Sequence, residues 1–204
     1  MAKSKHALYL ASIGHSLSKS DLRRLSMIES AIKGIADEGL EGANFERVAR
    51  QLKVRRSHVT YYFKDRDELV LAVIKYVITL AQDMTNKKIE AAPDMTAKIL
   101  AINEVTFEWA NNFKDHARTL IVFFSHCASN PSFKKFNTAL RKEGTQRILN
   151  IFKDYGYAGL EDELLVKAQT IQSIIMGFVL EHMASSAISN CKTLSAAQIR
   201  LTLK

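Results

Sequence analysis

Residues 44–64 read NFERVARQLKVRRSHVTYYFK and contain two short helical patterns separated by a break. In the first pattern apolar side chains recur at steps of three and four, which predicts a helix of roughly eight residues; they are Phe45, Val48, Ala49 and Leu52. Asn44 precedes this helix and can cap it, since its side-chain oxygen can accept from free amides of the first turn. Residues 53–55 interrupt the period, and a second short helix is predicted over 56–63.

The second helix has an apolar face and a polar face. Val59, Tyr62 and Phe63 are predicted to point inward. At about 100° per residue from Val59, the remaining side chains share the outward face: Ser57, His58, Thr60 and Tyr61. Two short helices joined by a tight turn, the second with exposed polar groups, are typical of a helix-turn-helix, whose second helix fits the DNA major groove.

The same stretch is strongly basic, with six Lys or Arg and one Glu between Asn44 and Lys64. Such a cluster alone is typical of a solvated surface, but on a helix-turn-helix it favours nucleic acid. Arg55 and Arg56 can bind guanine edges or phosphates, and Tyr61 and Lys64 can reach backbone oxygens. The predicted DNA-binding residues are Asn44, Arg47, Lys53, Arg55, Arg56, Ser57, His58, Thr60, Tyr61, Tyr62 and Lys64.

The rest of the chain also has helical periodicity. Two Pro and eight Gly in 204 residues are too few for the turns of a sandwich or barrel. A helix is predicted from Ser20, capped by Ser20 or Asp21, to a stop at Gly39, and a long one from Asp65. Further helices are predicted over 99–113, 116–128, 133–155 and 161–189, with a short final one from Ser195. The fold class is therefore all-α.

Residues 24–69 resemble the DNA-binding domain of the TetR family of bacterial transcriptional regulators. The residues at the family's spacing are Ile28, Ala31, Ile35, Ala36, Glu38, Gly39, Phe45, Val48, Ala49, Val54, Val59, Tyr61, Tyr62, Phe63, Lys64, Asp67, Glu68 and Leu69. The sequence departs from the pattern at Lys53-Val54-Arg55, where Gly-Val-Ser is usual. It also has Thr60 in place of a Tyr and Tyr62 in place of a frequent His.

The resemblance implies an extension over 1–19, a three-helix helix-turn-helix DNA-binding domain over 20–66, and a helical-bundle effector-binding and dimerisation domain over 67–204. It implies a homodimer on a double-stranded operator, released as a repressor by a small-molecule effector. Residues 1–19 are expected to be a loose extension, the other possibility being an arm into the minor groove.

The predicted second domain has two features that suit these roles. The helix over 161–189 has an apolar surface wider than one neighbour covers, so part of it can face a partner. Aromatic and polarizable side chains also concentrate in the middle helices, as in a ligand pocket, although such residues more often fill a core. The predicted ligand-binding residues are Trp109, Phe113, Phe123, His126, Gln172 and Met176.

Catalysis has no support in the sequence. There is no Gly-rich phosphate loop, GxSxG or HExxH, and Cys127 and Cys191 have no zinc-ligand spacing. No catalytic residue, metal or cofactor is expected, and reduced thiols without an apparent membrane span favour the cytoplasm. Two alternatives stay open: a regulator of this fold that answers to a protein or to no effector, and a helical enzyme with an accidental helix-turn-helix pattern.

Overall fold

The computed structural model describes residues 18–204, and within that range it contains helices, turns and bends but no strand. The all-α prediction is confirmed for these residues. The chain forms two compact units that divide after Tyr76, ten residues beyond the predicted boundary at 66/67. Of the predicted extension over 1–19, residues 1–17 lie outside the described part of the chain.

The first unit is helical. Its elements are α1 (Lys19–Glu38), a 3-10 turn (Gly39–Gly42), α2 (Phe45–Leu52), α3 (Arg56–Tyr62) and the first turns of α4 (Arg66–Ala91). The predicted stop of α1 at Gly39 is confirmed, since Gly39 is its C-cap at φ 70°. Asn44 caps α2 as predicted, with Oδ1 accepting from the backbone amides of Glu46 (2.8 Å) and Arg47 (3.3 Å).

The predicted cap of α1 at Ser20 or Asp21 is wrong, because the helix begins two residues earlier. Ser18 is the N-cap: its Oγ accepts from the backbone N–H of Asp21 at 3.1 Å. The Asp21 carboxylate in return accepts from the Ser18 backbone N–H at 3.0 Å. It also accepts from the Ser18 hydroxyl at 2.7 Å, and this bond, followed by the one from the Ser18 backbone N–H, lowers the pKa of Asp21.

The core of the first unit forms where α1 packs on the 3-10 turn and on α2, and α2 packs on α3. Gly34 and Gly42 bring α1 and the turn into backbone contact, and a Cβ on either glycine would overlap the carbonyl of the other. Apolar side chains from every helix are buried here, as the periodicity predicts; they include Leu25, Ile28, Ile32, Ile35, Phe45, Val48, Val59, Leu69, Val70 and Val73.

A left-handed residue closes the turn between α2 and α3. Lys53 lies at φ 55° and ψ 41°. Its backbone N–H donates to Arg50 O at 3.2 Å, and the Val54 N–H donates to Ala49 O at 2.9 Å. This pair of bonds is a Schellman motif, which satisfies the last carbonyls of α2 and reverses the chain. Glycine is the usual residue here because a Cβ is strained in this conformation.

The second unit contains the rest of α4 and five further helices: α5 (Met95–Asn112), α6 (Lys114–His126), α7 (Pro131–Asp154), α8 (Glu161–Ala184) and α9 (Cys191–Thr202). All five were predicted, but several ends differ. Asp94 and Asn130 cap α5 and α7, so both helices begin earlier than predicted.

The predicted ends of the last two helices differ most from the observed ends. α8 ends at Ala184 rather than Ser189, because Ser185 is extended and its Oγ accepts from the Ala187 backbone N–H at 2.9 Å. α9 begins at Cys191 rather than Ser195. Ser195 is buried within α9 and donates from Oγ to Asn103 Oδ1 at 2.7 Å, which ties α9 to α5.

α8 is long and apolar enough to cross a membrane by length and composition alone. The criterion uses the mean hydropathy of an 18-residue window of this helix. Only 28% of that window is buried in the single chain. Because helices of soluble bundles also pass this criterion, the finding is weak support for a membrane location.

We expect Lys53→Gly to raise the free energy of unfolding. Removing the Cβ relieves about 1 kcal/mol of left-handed strain, and the greater freedom of glycine in the unfolded chain offsets part of this gain. Chemical denaturation of the variant measures the change. Lys53→Ala is the matched control, since it removes the charge and keeps the Cβ. A glycine variant no more stable than the alanine variant would contradict the strain at this turn.

Candidate functional site

Burial of one residue sets the rotation of α3. Val59 is fully buried, as is Phe63 immediately after the helix. Ser57, His58 and Thr60 are exposed, and Tyr61 is 81% exposed. The outward face predicted from the helical period therefore lies in solvent, where the major groove of a duplex could approach it.

The two tyrosines of α3 have different surroundings. Tyr62 is half-buried, and its hydroxyl lies 3.2 Å from Ser20 Oγ of α1. Tyr61 lies edge-on against the Tyr62 ring, with 5.2 Å between centroids. Tyr62 thus supports the position of α3, and Tyr61 provides an exposed aromatic side chain held on one edge.

The exposed polar groups of α3 also differ in what they can offer a ligand. The Thr60 hydroxyl donates to Ser57 O at 3.1 Å, so this hydroxyl is already engaged by the backbone. His58 and Ser57 keep exposed side chains that can donate or accept.

The basic residues of this surface fall into two groups. Arg47 forms ion pairs with Asp37 and Glu38 of α1, and the Arg56 Nε lies 2.6 Å from Glu46 Oε1. In the part of the chain that the structure describes, the second group has no carboxylate at ion-pair distance and is exposed; it comprises Arg50, Lys53, Arg55 and Lys64. These four cations keep their full charge available for an external anion.

The predicted DNA-binding set thus combines exposed residues with residues that have structural partners. Asn44 and Arg47 hold the start of α2, through the cap and through the ion pairs to α1. Lys64 is held at its backbone, where its N–H donates to Glu68 Oε2 at 2.7 Å. Arg50 is one of the six basic residues between Asn44 and Lys64 but was not among the predicted DNA-binding residues, although its exposure and lack of an ion pair resemble those of Arg55.

The second unit encloses a cavity of about 180 Å³. This exceeds the roughly 150 Å³ of an engineered apolar cavity that holds benzene. Its wall is formed by residues of α4 to α8 and is mainly apolar; the lining includes Ile78, Ile102, Trp109, Phe124, Ile175 and Met176.

The structure brings three of the six predicted ligand-binding residues to this cavity, namely Trp109, Gln172 and Met176. The other three lie elsewhere. Phe123 is fully buried against Phe133, with 5.4 Å between ring centroids. Phe113 lies beside His116 at the start of α6, and the His126 Nδ1 donates to Val122 O at 2.8 Å.

Sequence reasoning missed the polar wall that α7 contributes. Asn137, Arg141 and Arg147 line the cavity together with Gly144 and Ile148. Asn137, Arg141, Gly144 and Ile148 recur at steps of four, three and four, a helical period that was a usable signal, and Arg147 flanks this face. Burial lowers the pKa of both guanidinium groups, and at Arg147 the charge of Glu143 opposes this effect.

Among residues 18–204 no group of three or more His, Cys, Asp or Glu side chains is placed to hold a metal ion. Cys127 and Cys191 are both free and buried. Burial raises the pKa of the Cys127 thiol, which disfavours the reactive thiolate.

Comparison with known proteins relates the first unit to a family. Residues 27–73 match the family model described as bacterial regulatory proteins, tetR family. The HTH-type transcriptional regulator BetI of Burkholderia lata is 25% identical over 116 residues. That match covers 56% of this chain and 60% of the relative, so it spans less than two thirds of the relative's length.

Solved structures share the fold across nearly the whole chain. A TetR-family transcriptional regulator from Cytophaga hutchinsonii has a TM-score of 0.74 at 14% identity, covering 93% of this chain and 96% of its own. A Saccharomonospora viridis protein in complex with choline has a TM-score of 0.72 at 14% identity, covering 88% and 94%. The first unit is thus similar to the DNA-binding region of the tetR family of bacterial regulatory proteins, and the chain as a whole shares the fold of these solved regulators.

Proposed function

We propose that this protein is a ligand-responsive transcriptional regulator that binds a specific DNA operator as a homodimer in the cytoplasm. The observation that carries the proposal is the outward face of α3, where Ser57, His58, Thr60 and Tyr61 are exposed while Val59 is buried. This face has the width and chemistry that a major-groove helix requires. The HTH-type relatives support the same function.

In the proposed interface, different residues supply the affinity for DNA and the selectivity for its sequence. The unpaired cations Arg50, Lys53, Arg55 and Lys64 neutralise phosphates and release counterions, which supplies most of the affinity. His58 and Ser57 contact base edges, and Thr60, whose hydroxyl is bonded to the helix, contacts a thymine methyl. Arg56 also contacts DNA after a phosphate or base replaces Glu46 as its partner. Breaking the Arg56–Glu46 ion pair costs little free energy because both side chains are exposed to water.

Homodimerisation is proposed through α8 and α9. Large apolar side chains remain exposed on both helices in the single chain; they are Leu165, Val166, Leu180, Leu194 and Leu201. Tyr157 fixes α9 beside α8, because its hydroxyl donates to Leu203 O at 2.6 Å and accepts from Lys167 Nζ at 2.8 Å. A twofold pairing of these helices buries the apolar surface and allows the two recognition helices of the dimer to bind in successive major grooves.

The effector is proposed to occupy the cavity of the second unit. Its volume and mainly apolar wall suit a small organic molecule, and a fold neighbour solved with choline supports this use of the fold. For the ligand to release DNA it must bind the non-binding conformation more tightly, and DNA must weaken ligand binding by the same factor. We propose repression relieved by the ligand as the direction of control.

Arg55→Ala tests the DNA-binding surface directly. Loss of one phosphate contact is expected to weaken binding to duplexes of any sequence and to reduce the slope of log affinity against log salt by about one. Fluorescence anisotropy of a labelled random-sequence duplex, titrated over a range of salt concentrations, measures both quantities.

Lys134→Ala is the matched control for Arg55→Ala, because it removes one charge from an exposed position of α7 in the other unit. Its salt slope is expected to equal that of the wild type. Equal slopes for all three proteins would place the phosphate-binding surface elsewhere. If none of the three proteins bound the duplex at low salt, the result would favour a regulator that does not contact DNA or a helical enzyme.

Leu201→Asp tests the dimer interface. Leu201 is 57% exposed in the single chain, so the charge is not forced into the core of the protomer but is forced into the proposed interface. We expect sedimentation velocity to shift from dimer toward monomer. Thr138→Asp, on an exposed position of α7, is expected to remain dimeric; identical sedimentation of both variants would reject this interface.

A further inference from the structure

The polar part of the cavity wall is positively charged. Arg141 and Arg147 line the cavity, and no Asp or Glu is among its lining residues. Both arginines are half-buried, and within the described chain neither has an ion-pair partner. A guanidinium taken partly out of water without an ion-pair partner is costly. The charge of Glu143 acts on Arg147, but Glu143 is exposed and does not line the cavity, so the two guanidiniums favour an anion in the space they face.

Several of the remaining polar groups of the wall can donate hydrogen bonds for which the wall supplies no acceptor. The Trp109 Nε1–H is buried and has no partner among residues 18–204. Gln172 accepts from the Thr145 hydroxyl at 3.2 Å through Oε1, which leaves its Nε2 group to donate. Asn137 also lines the cavity, with its Oδ1 buried and unpartnered.

The hydroxyl groups of the wall do not change this balance. Thr85 donates to Ala81 O at 2.8 Å and Thr106 donates to Ile102 O at 2.7 Å, both within their own helices. The groups left for a ligand are therefore two guanidiniums, an indole N–H and three side-chain amides, those of Gln82, Asn137 and Gln172. Such a set fits a ligand group with several acceptor oxygens and a negative charge.

We infer that the effector of this cavity is an amphipathic carboxylate, a small organic acid whose apolar body contacts Trp109 and whose carboxylate is bound by Arg141 and Arg147. The inference rests on the proposed effector cavity and specifies its ligand class. An arginine can bind a carboxylate through two parallel N–H···O bonds, which a neutral alcohol cannot reproduce. A cationic ligand of the same size meets two like charges and no counterion.

A ligand series of one shape and three charges tests the inference. Octanoate, 1-octanol and octyltrimethylammonium share an apolar chain and differ in the head group. Trp109 is the single tryptophan of the chain, so its emission reports occupancy of the cavity, and isothermal titration calorimetry supplies a second readout. We expect octanoate to bind at least about tenfold more tightly than octanol, since a hydrogen bond to a charged group contributes roughly 1.5–3 kcal/mol.

Two variants locate the charge effect. Arg141→Met and Arg147→Met keep most of the side-chain length, and each is expected to weaken octanoate by about tenfold while changing octanol by less than about threefold. Lys142→Met is the matched control, because Lys142 is exposed and adjacent to Arg141 without lining the cavity. Unchanged octanol binding shows that a variant is folded, and Arg141→Lys is expected to recover part of the lost affinity.

Three outcomes would overturn the inference: octyltrimethylammonium binding as tightly as octanoate, arginine variants that keep wild-type octanoate affinity, or no binding of any of the three ligands in calorimetry. These measurements contain no DNA. A protein that binds octanoate but no duplex would therefore refute the proposed regulatory function and leave the cavity assignment standing, whereas the reverse result would refute only the ligand class.

Discussion

Burial of Val59 is the constraint on which the DNA-binding surface depends. A short helix has one rotation that buries a given side chain, so complete burial of Val59 forces Ser57, Thr60 and Tyr61 toward solvent. The Schellman turn at Lys53 supports this rotation by fixing how the chain leaves α2. Tyr62 adds a polar contact between α3 and α1.

Local patterns in the sequence were sufficient to predict this first unit. The helical period located Val59 and the outward face, and Asn44 was recognised as a cap because the capping rule involves only neighbouring residues. The ion pairs of Arg47 and Arg56 were not predictable in the same way. Arg47 meets Asp37 across ten residues, and which cations remain unpaired depends on how α1 and α2 pack.

The second unit was predictable only in outline, because its decisive contacts join distant residues. The sequence predicts a helix start at Ser195, but Ser195 lies inside α9 and donates a hydrogen bond to Asn103, 92 residues away. Phe123 and Phe124 are adjacent and point about 100° apart, so composition could not show that Phe124 faces the cavity. Arg141 and Arg147 are six residues apart, which is about 120° around α7, so only packing shows that both line a cavity.

Selection of bound fragments from genomic DNA by the purified wild-type protein tests the central claim most directly. The account predicts enrichment of a near-palindromic sequence whose half-sites are centred one helical turn, about 10 base pairs, or a multiple of that apart. Substituting the exposed face of α3 at Tyr61 and His58 should abolish that enrichment while the protein stays folded. Recovery of the same sequence with the substituted protein, or of no common sequence with the wild type at low salt, would contradict it.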